Sequence, residues 1–224
     1  MVIPVLNEAD RIAETIETTR AQSPTQIIVV DGGSDDATVS NAAGADVVLT
    51  SAPSRAIQQN LGAAQCSSDV ILFLHADCLL GQGAVAAIGE AASDEAVAAG
   101  CLTQVIDHPR RAFRFIARGN NLRAELLKWA YGDQAIWIRR SVFEQLGGFP
   151  EVGSMEDLLL MKQLKREPGK FIRLDAMVTT TARHWQQRGV VRQTLMNWWM
   201  ITRLHLGRSP EELVERIARM PQSE

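Results

Sequence analysis

Three observations predict an α/β fold built on a mostly parallel, twisted sheet flanked by helices. Short apolar runs alternate with helical segments along the first half of the chain, joined by brief connections, the pattern of right-handed βαβ units. Val70-Ile71-Leu72-Phe73-Leu74 is apolar at five consecutive positions, as a central strand buried on both faces would be. Two such runs end in a carboxylate, Asp31 and Asp77, and ligands of open α/β sheets sit beyond the carboxyl ends of strands.

The elements follow in order. Val2-Ile3-Pro4-Val5-Leu6 is the first strand, and Asn7-Glu8-Ala9-Asp10 opens a helix that buries Ile12 and Ile16. Gln26–Asp31 is the second strand, and Gly32-Gly33-Ser34 turns into a helix. Asp46–Leu49 is a third, short strand. Ser54 then caps a helix on which Arg55, Gln58 and Gly62 share one face. After the central strand, Asp77 stands where a metal or phosphate ligand is expected, or else caps a helix beginning near Leu79. A small-residue helix spans about 84–92, and Val97–Val105 is another strand. Pro109–Tyr131 is basic and helical, with a break expected near Gly119-Asn120-Asn121. Ala135–Ile138 is a short strand, and Ser141–Leu146 a helical turn stopped by Gly147-Gly148. Leu158–Arg166 is a helix opened by Ser154-Met155-Glu156-Asp157 and closed by Pro168-Gly169. Phe171–Leu174 and Met177–Thr181 are strands; Arg188–Leu206 and Pro210–Met220 are helices.

No repeat, low-complexity tract or linker divides the 224 residues, so one domain is expected. It would comprise a nucleotide-binding half at about 1–107, an acceptor-side half at about 108–187 and C-terminal helices at about 188–220. Three cysteines without CxxC spacing argue against a disulfide framework. No apolar run approaches the ~18 residues of a membrane span. No signal peptide pattern opens the chain, so a cytoplasmic location is expected.

The net charge of −3 conceals an asymmetry. Residues 1–107 carry 3 basic and 14 acidic side chains, and residues 108–224 carry 20 and 12. An acidic half suits cations, a basic half phosphates or an anionic surface, although solvated faces account for both equally well. Neither a G-x-G-x-x-G fingerprint nor a P-loop occurs. Nothing points to nucleic acid.

Taken together, VIPVLNEA at 2–9, IIVVDGGSDDAT at 27–38, RAIQQNLGA at 55–63, LFLHAD at 72–77 and MEDLLL at 155–160 resemble family-2 glycosyltransferases of the GT-A fold. The likeness is greatest to the branch called radical-SAM/selenodomain-associated transferase 2, through RAIQQNLGA, LFLHADC, Gly132-Asp133-Gln134 and Arg183-His184-Trp185. The resemblance implies transfer of a sugar from a UDP- or GDP-linked donor to an acceptor hydroxyl, with inversion, and a divalent cation, Mn²⁺ or Mg²⁺. Pro4, Asn7, Glu8, Asp31, Gly33, Arg55 and Asn60 would bind the donor. Asp77 would hold the metal and Asp157 would be the catalytic base. Asp133, Gln134, Glu156, Arg183 and Trp185 would stand on the acceptor side.

One departure is His75, where the family pattern has aspartate. Losing that charge favours Mn²⁺ over Mg²⁺; His75 itself is left out of the ligand set, and His184 can complete it. Asp157 also fits a plain structural role, since Ser154-x-x-Asp157 reads as a capping box. A nucleotide-sugar-binding protein without transfer activity is the alternative that His75 motivates. A membrane-surface module, peripheral to the inner face, is the one that Trp198, Trp199 and the surrounding arginines motivate, although core packing explains those tryptophans as well.

Overall fold

Alternation along the strands explains why they read as apolar throughout. In this computed structural model, residues 1–152, 155–183, 185, 189, 196, 199, 202 and 203 are described. Val2, Ile28, Val30, Ile71 and Phe73 enter one core layer, while Ile3, Val5, Ile27, Val29, Leu72 and Leu74 enter the other. Side chains alternate faces along a strand, so a sheet covered on both sides needs an apolar residue at every position.

Strands β1 (Val2–Val5), β2 (Ile28–Asp31) and β3 (Val47–Thr50) pair in parallel, as predicted. Beyond them lies a five-stranded sheet, in the order β4 (Val70–Leu72), β7 (Trp137–Arg139), β6 (Val97–Asp107), β8 (Lys170–Thr181) and β5 (Cys78–Leu80). A parallel bridge between Val2 and Phe73, with the Leu74 N–H donating to the Val2 carbonyl at 3.0 Å, joins the two sets of strands. The central run therefore lies beside β1, but its other neighbour, β7, is antiparallel. β7 is antiparallel to β6 and β5 to β8, while β6 and β8 are parallel. The sheet is mixed because these later strands pair with partners distant in sequence, which short connections do not constrain.

Helix α3 (Arg55–Ala64) packs on the β1 side of the first layer. A Cβ at its Gly62 would lie 2.4 Å from Val2 Cγ1, so only glycine permits this approach. Helices α1 (Ile12–Arg20) and α4 (Ala84–Ala91) cover the opposite layer through Ile12, Ile16, Ala84 and Ile88. α2 is a short helix at Thr38–Asn41. α5 (Arg111–Leu127), α6 (Arg140–Gln145) and α7 (Glu156–Leu164) follow in chain order, with a 3₁₀ turn at Gly132–Gln134.

Four expectations need correction. No helix follows Asp77; Cys78–Leu80 is strand β5, which removes the capping role proposed there. α5 runs through Gly119 without a break, since Asn120 and Asn121 make tertiary hydrogen bonds that reward the helical geometry. The two C-terminal strands are one, Lys170–Thr181, with a register irregularity against β6 between Leu102 and Thr103. Ser54 makes no capping hydrogen bond through its side chain. The helices expected over 188–206 and 210–220, with Trp198, fall almost wholly outside the described residues, as do Ser154 and His184.

Candidate active site

A cleft of about 370 Å³ opens at the carboxyl ends of β1 and of the run continuing β4. β1 delivers Pro4 and Val5 to its wall, and the chain beyond adds Leu6 and Glu8. Arg55 stands at the first position of α3, Glu156 at the first position of α7, and Arg183 follows β8. His75 and Asp77 enter from the central strand's exit. The fold thus brings together six of the residues singled out in the sequence: Pro4, Glu8, Arg55, Asp77, Glu156 and Arg183.

Charge is paired across this cleft. Arg183 Nη2 donates to Glu8 Oε1 at 2.5 Å and lies 4.0 Å from Asp77 Oδ2. Arg55 Nη1 donates to Glu156 Oε1 at 3.1 Å. The Glu156 side chain is only 4% exposed, whereas that of Arg55 is 53% exposed. Burial pushes the Glu156 carboxyl up from its ordinary pKa, the neighbouring Asp157 adds to the rise, and Arg55 opposes it.

Asp77 is oriented by Thr181, whose hydroxyl donates to Oδ2 at 2.9 Å. His75, Asp77 and Cys78 offer ligand atoms that all lie within 4.8 Å of one another. Burial raises the Cys78 thiol well above its ordinary pKa, and both Asp77 and Asp133 push the same way. Hard cations such as Mg²⁺ and Mn²⁺ prefer oxygen to sulfur, so the donors suited to them here are one carboxylate and one imidazole. That set fits a cation that takes its remaining oxygens from phosphates and water, as Mg²⁺ and Mn²⁺ do.

Behind His75 lies the 3₁₀ turn. A Cβ on Gly132 would come within 2.5 Å of His75 Nε2, so glycine is what lets the imidazole approach the backbone this closely. The Gly132 N–H donates to Asp157 Oδ2 at 2.8 Å, and the Leu158 N–H donates to Asp157 Oδ1 at 2.7 Å. Asp157 is therefore tied to the turn that backs His75, but it does not line the cleft. Asp133 is half-buried; Gln104 Nε2 donates to its Oδ2 at 2.6 Å, and the buried Oδ1 has no hydrogen-bond partner among the described residues. Burial raises its pKa to about 6, against the opposing pull of Arg123 and Gln104.

The remaining candidates serve the scaffold around the cleft. Asp31 accepts the backbone N–H groups of Gly33 and Ser34 and the Ser34 hydroxyl, closing its own turn; Gly33 supplies φ +91° there. Asn7 adopts φ 54° and accepts the Asp35 N–H. Asn60 grips the backbone of Phe149 by both amide atoms. Gln134 accepts from Arg123 and from the Tyr131 N–H, and Trp185 is buried edge-on to Phe113. Sequence reasoning missed Thr181, and it missed the polar network of Gln104, Asn120 and Arg123 that supports Asp133. Polar residues at Asn120, Asn121 and Arg123, one turn from the buried Ala117 and Ala124, were the available signal.

Residues 1–147 match the family described as Glycosyl transferase family 2. No curated protein matches the chain. Among solved structures, a mannosyltransferase from Pyrobaculum calidifontis, PcManGT, in complex with GDP-Man and Mn²⁺, superposes with TM-score 0.63 at 20% identity. The match covers 80% of this chain and 55% of that one. Staphylococcus aureus TarS in complex with UDP-GlcNAc gives 0.64 at 16% identity, covering 80% of this chain and 57% of that one. Glucosyl-3-phosphoglycerate synthase from Mycobacterium tuberculosis gives 0.59 at 19%, covering 79% and 69% respectively. The chain spans a little over half the length of the first two.

Proposed function

From a chain that belongs to glycosyl transferase family 2, we propose a transferase that moves a sugar from a nucleotide-diphosphate donor to an acceptor hydroxyl at this cleft. The observation that carries the reading is the convergence of Arg55, Arg183, His75 and Asp77 on the ends of β1 and the central strand. Two guanidiniums beside a carboxylate–imidazole pair suit a diphosphate with its counter-cation. Complexes with GDP-Man and with UDP-GlcNAc among the structural neighbours support either donor nucleotide.

Asp77, with His75 behind it, would hold the divalent cation, which when bound neutralises charge on the leaving diphosphate. Arg55 and Arg183 would bind and orient the same group, each already steered by a carboxylate, Glu156 or Glu8. Asp157, next in the chain to the cleft-lining Glu156 though not itself on the cleft wall, is the proposed base: with the acceptor bound it takes the proton of the acceptor hydroxyl as that oxygen bonds to the anomeric carbon. The bond from that carbon to the diphosphate oxygen breaks on the opposite face, its electrons leave with the diphosphate, and the configuration inverts. Two backbone N–H groups fix the Asp157 carboxylate, one on each oxygen, and each oxygen keeps a lone pair for a proton. Asp31, Gly33, Asn7 and Asn60 would act on the donor through the turns they hold. Asp133, Gln134 and Trp185 would act on the acceptor side in the same indirect way.

Glu156 is a second candidate for the base, favoured because its carboxylate lines the cleft and burial raises its pKa towards the range where general bases work best.

The test is a thermal-shift screen of UDP- and GDP-sugars with and without Mn²⁺. A ligand at about 100 times its Kd adds ~2.7 kcal/mol of stability. A donor that stabilises the chain more with Mn²⁺ present is the expected result; no shift from any nucleotide sugar would overturn the reading.

A further inference from the structure

Helix α5 is apolar on two opposite faces, and one of them is exposed, with none of the described residues covering it. Phe113, Ala117 and Ala124 are buried against the sheet. Phe115, Leu122 and Leu126 are 70%, 55% and 66% exposed. At about 100° per residue, Leu122 and Leu126 fall within about 20° of Phe115, directly opposite the buried set. A soluble helix normally turns charged residues outward at such positions, and large apolar side chains sharing one exposed face mark an interaction surface.

The charges around the stripe say what kind. Arg110, Arg111, Arg114 and Arg118 are all exposed along the first half of α5, and among the described residues none pairs with a carboxylate. The one acid of the helix, Glu125, is taken by Arg173 at 2.9 Å. At the other end Lys128 lines a cavity of about 360 Å³ together with Lys165 and Lys170. These are three of the chain's four lysines. Large apolar side chains beside unpaired arginines are the composition of a helix lying in a bilayer interface, where arginine stems lie along the apolar zone and their heads meet anionic headgroups.

We propose that α5 docks the protein on an anionic lipid surface, with Phe115, Leu122 and Leu126 entering the interface and Arg111, Arg114 and Arg118 contacting phosphate headgroups. This site is independent of the cleft and of the donor reading. It also replaces the tryptophans near the C-terminus as the basis for membrane contact, because the residues that carry it are described.

Flotation of the full chain with vesicles tests it, using phosphatidylcholine alone and phosphatidylcholine mixed with phosphatidylglycerol. Binding to the mixed vesicles and weakening with salt are expected. Phe115→Ser, Leu122→Ser and Leu126→Ser should each lower the vesicle partition constant on the order of tenfold, with an unchanged melting temperature because the sites are exposed. Arg111→Gln with Arg118→Gln should remove most of the salt dependence. Failure of the wild-type chain to bind mixed vesicles would overturn the proposal, as would undiminished binding by the triple serine variant. Self-association that the serine variants abolish, without vesicle binding, would overturn it in favour of a protein contact.

Discussion

Arg55 and Glu156, 101 positions apart in sequence, are joined by a 3.1 Å hydrogen bond that ties the start of α3 to the start of α7 across the cleft. The pair is asymmetric: the carboxylate is buried and the guanidinium is half in solvent. Arg55→Ala should therefore strand a buried acid. Exposure of the arginine screens the loss, so a destabilisation of about 1–2 kcal/mol at neutral pH is expected, less than for a fully buried pair. A carboxyl whose folded pKa lies above its unfolded one loses stability as pH rises between the two values. The deficit of Arg55→Ala should accordingly shrink on acidification. Melting temperatures of both proteins across an acidic-to-neutral series check this; a deficit independent of pH would contradict it.

Asp133 makes a second pH dependence. Its pKa is raised from 3.8 to about 6 by burial, so the folded protein binds the proton more tightly than the unfolded chain. The contribution of Asp133 to stability is highest below about pH 4, falls as pH rises towards about 6, and is level above that. Asp133→Asn keeps an oxygen for Gln104 and removes the charge. It should raise stability at neutral pH by up to about 3 kcal/mol and flatten the acidic limb of the stability profile. Urea unfolding at several pH values reads both effects.

Gly132 couples His75 to Asp157. A methyl group there would meet the imidazole at 2.5 Å while the N–H still holds Asp157. Gly132→Ala should cost about 1–3 kcal/mol of stability by overpacking and displace His75 from beside Asp77. The predicted signature is a larger fractional loss of Mn²⁺-dependent nucleotide affinity than of metal-free affinity, measured by calorimetry. Equal losses would mean that His75 has no part in the cation site.

Much of this was legible in the sequence because its signals were local. Apolar runs located β1, β2 and the central strand; the strand-end position pointed to Asp77, and the family resemblance to Pro4 and Glu8, as cleft residues. What escaped depended on distant partners. Whether Val70–Leu74 has a parallel or antiparallel neighbour is decided by β7, some 65 residues later. The Gly119-Asn120-Asn121 stretch has low helix propensity, but the hydrogen bonds between its asparagines and Gln104 outweigh it. Asp31 was correctly placed at a strand end, yet its oxygens serve the Gly33–Ser34 turn, a local hydrogen-bonding pattern that strand-end aspartates share whatever their function.

The adjacent acids on α7 separate the two candidate bases. Asp157→Asn should bind donor with an affinity near that of the wild type while transfer falls by about 10²–10⁴. Glu156→Gln should lose at most a few-fold in transfer, if its role is to steer Arg55. Single-turnover transfer rates of the two variants, with donor affinities measured alongside, decide between them. The reverse ranking would assign the base to Glu156.

The central claim is that this cleft binds a nucleotide-diphosphate sugar through a cation held by Asp77. It is tested most directly by titrating UDP and GDP into the wild type, Asp77→Asn and His75→Ala, each with Mn²⁺ and with chelator. The wild type should bind one of the two nucleotides at least about tenfold more tightly with Mn²⁺, equivalent to ~1.4 kcal/mol. Asp77→Asn should abolish that gain and His75→Ala reduce it only in part. Equal affinity with Mn²⁺ and with chelator in the wild type, or an Mn²⁺ effect that survives Asp77→Asn intact, would contradict the claim.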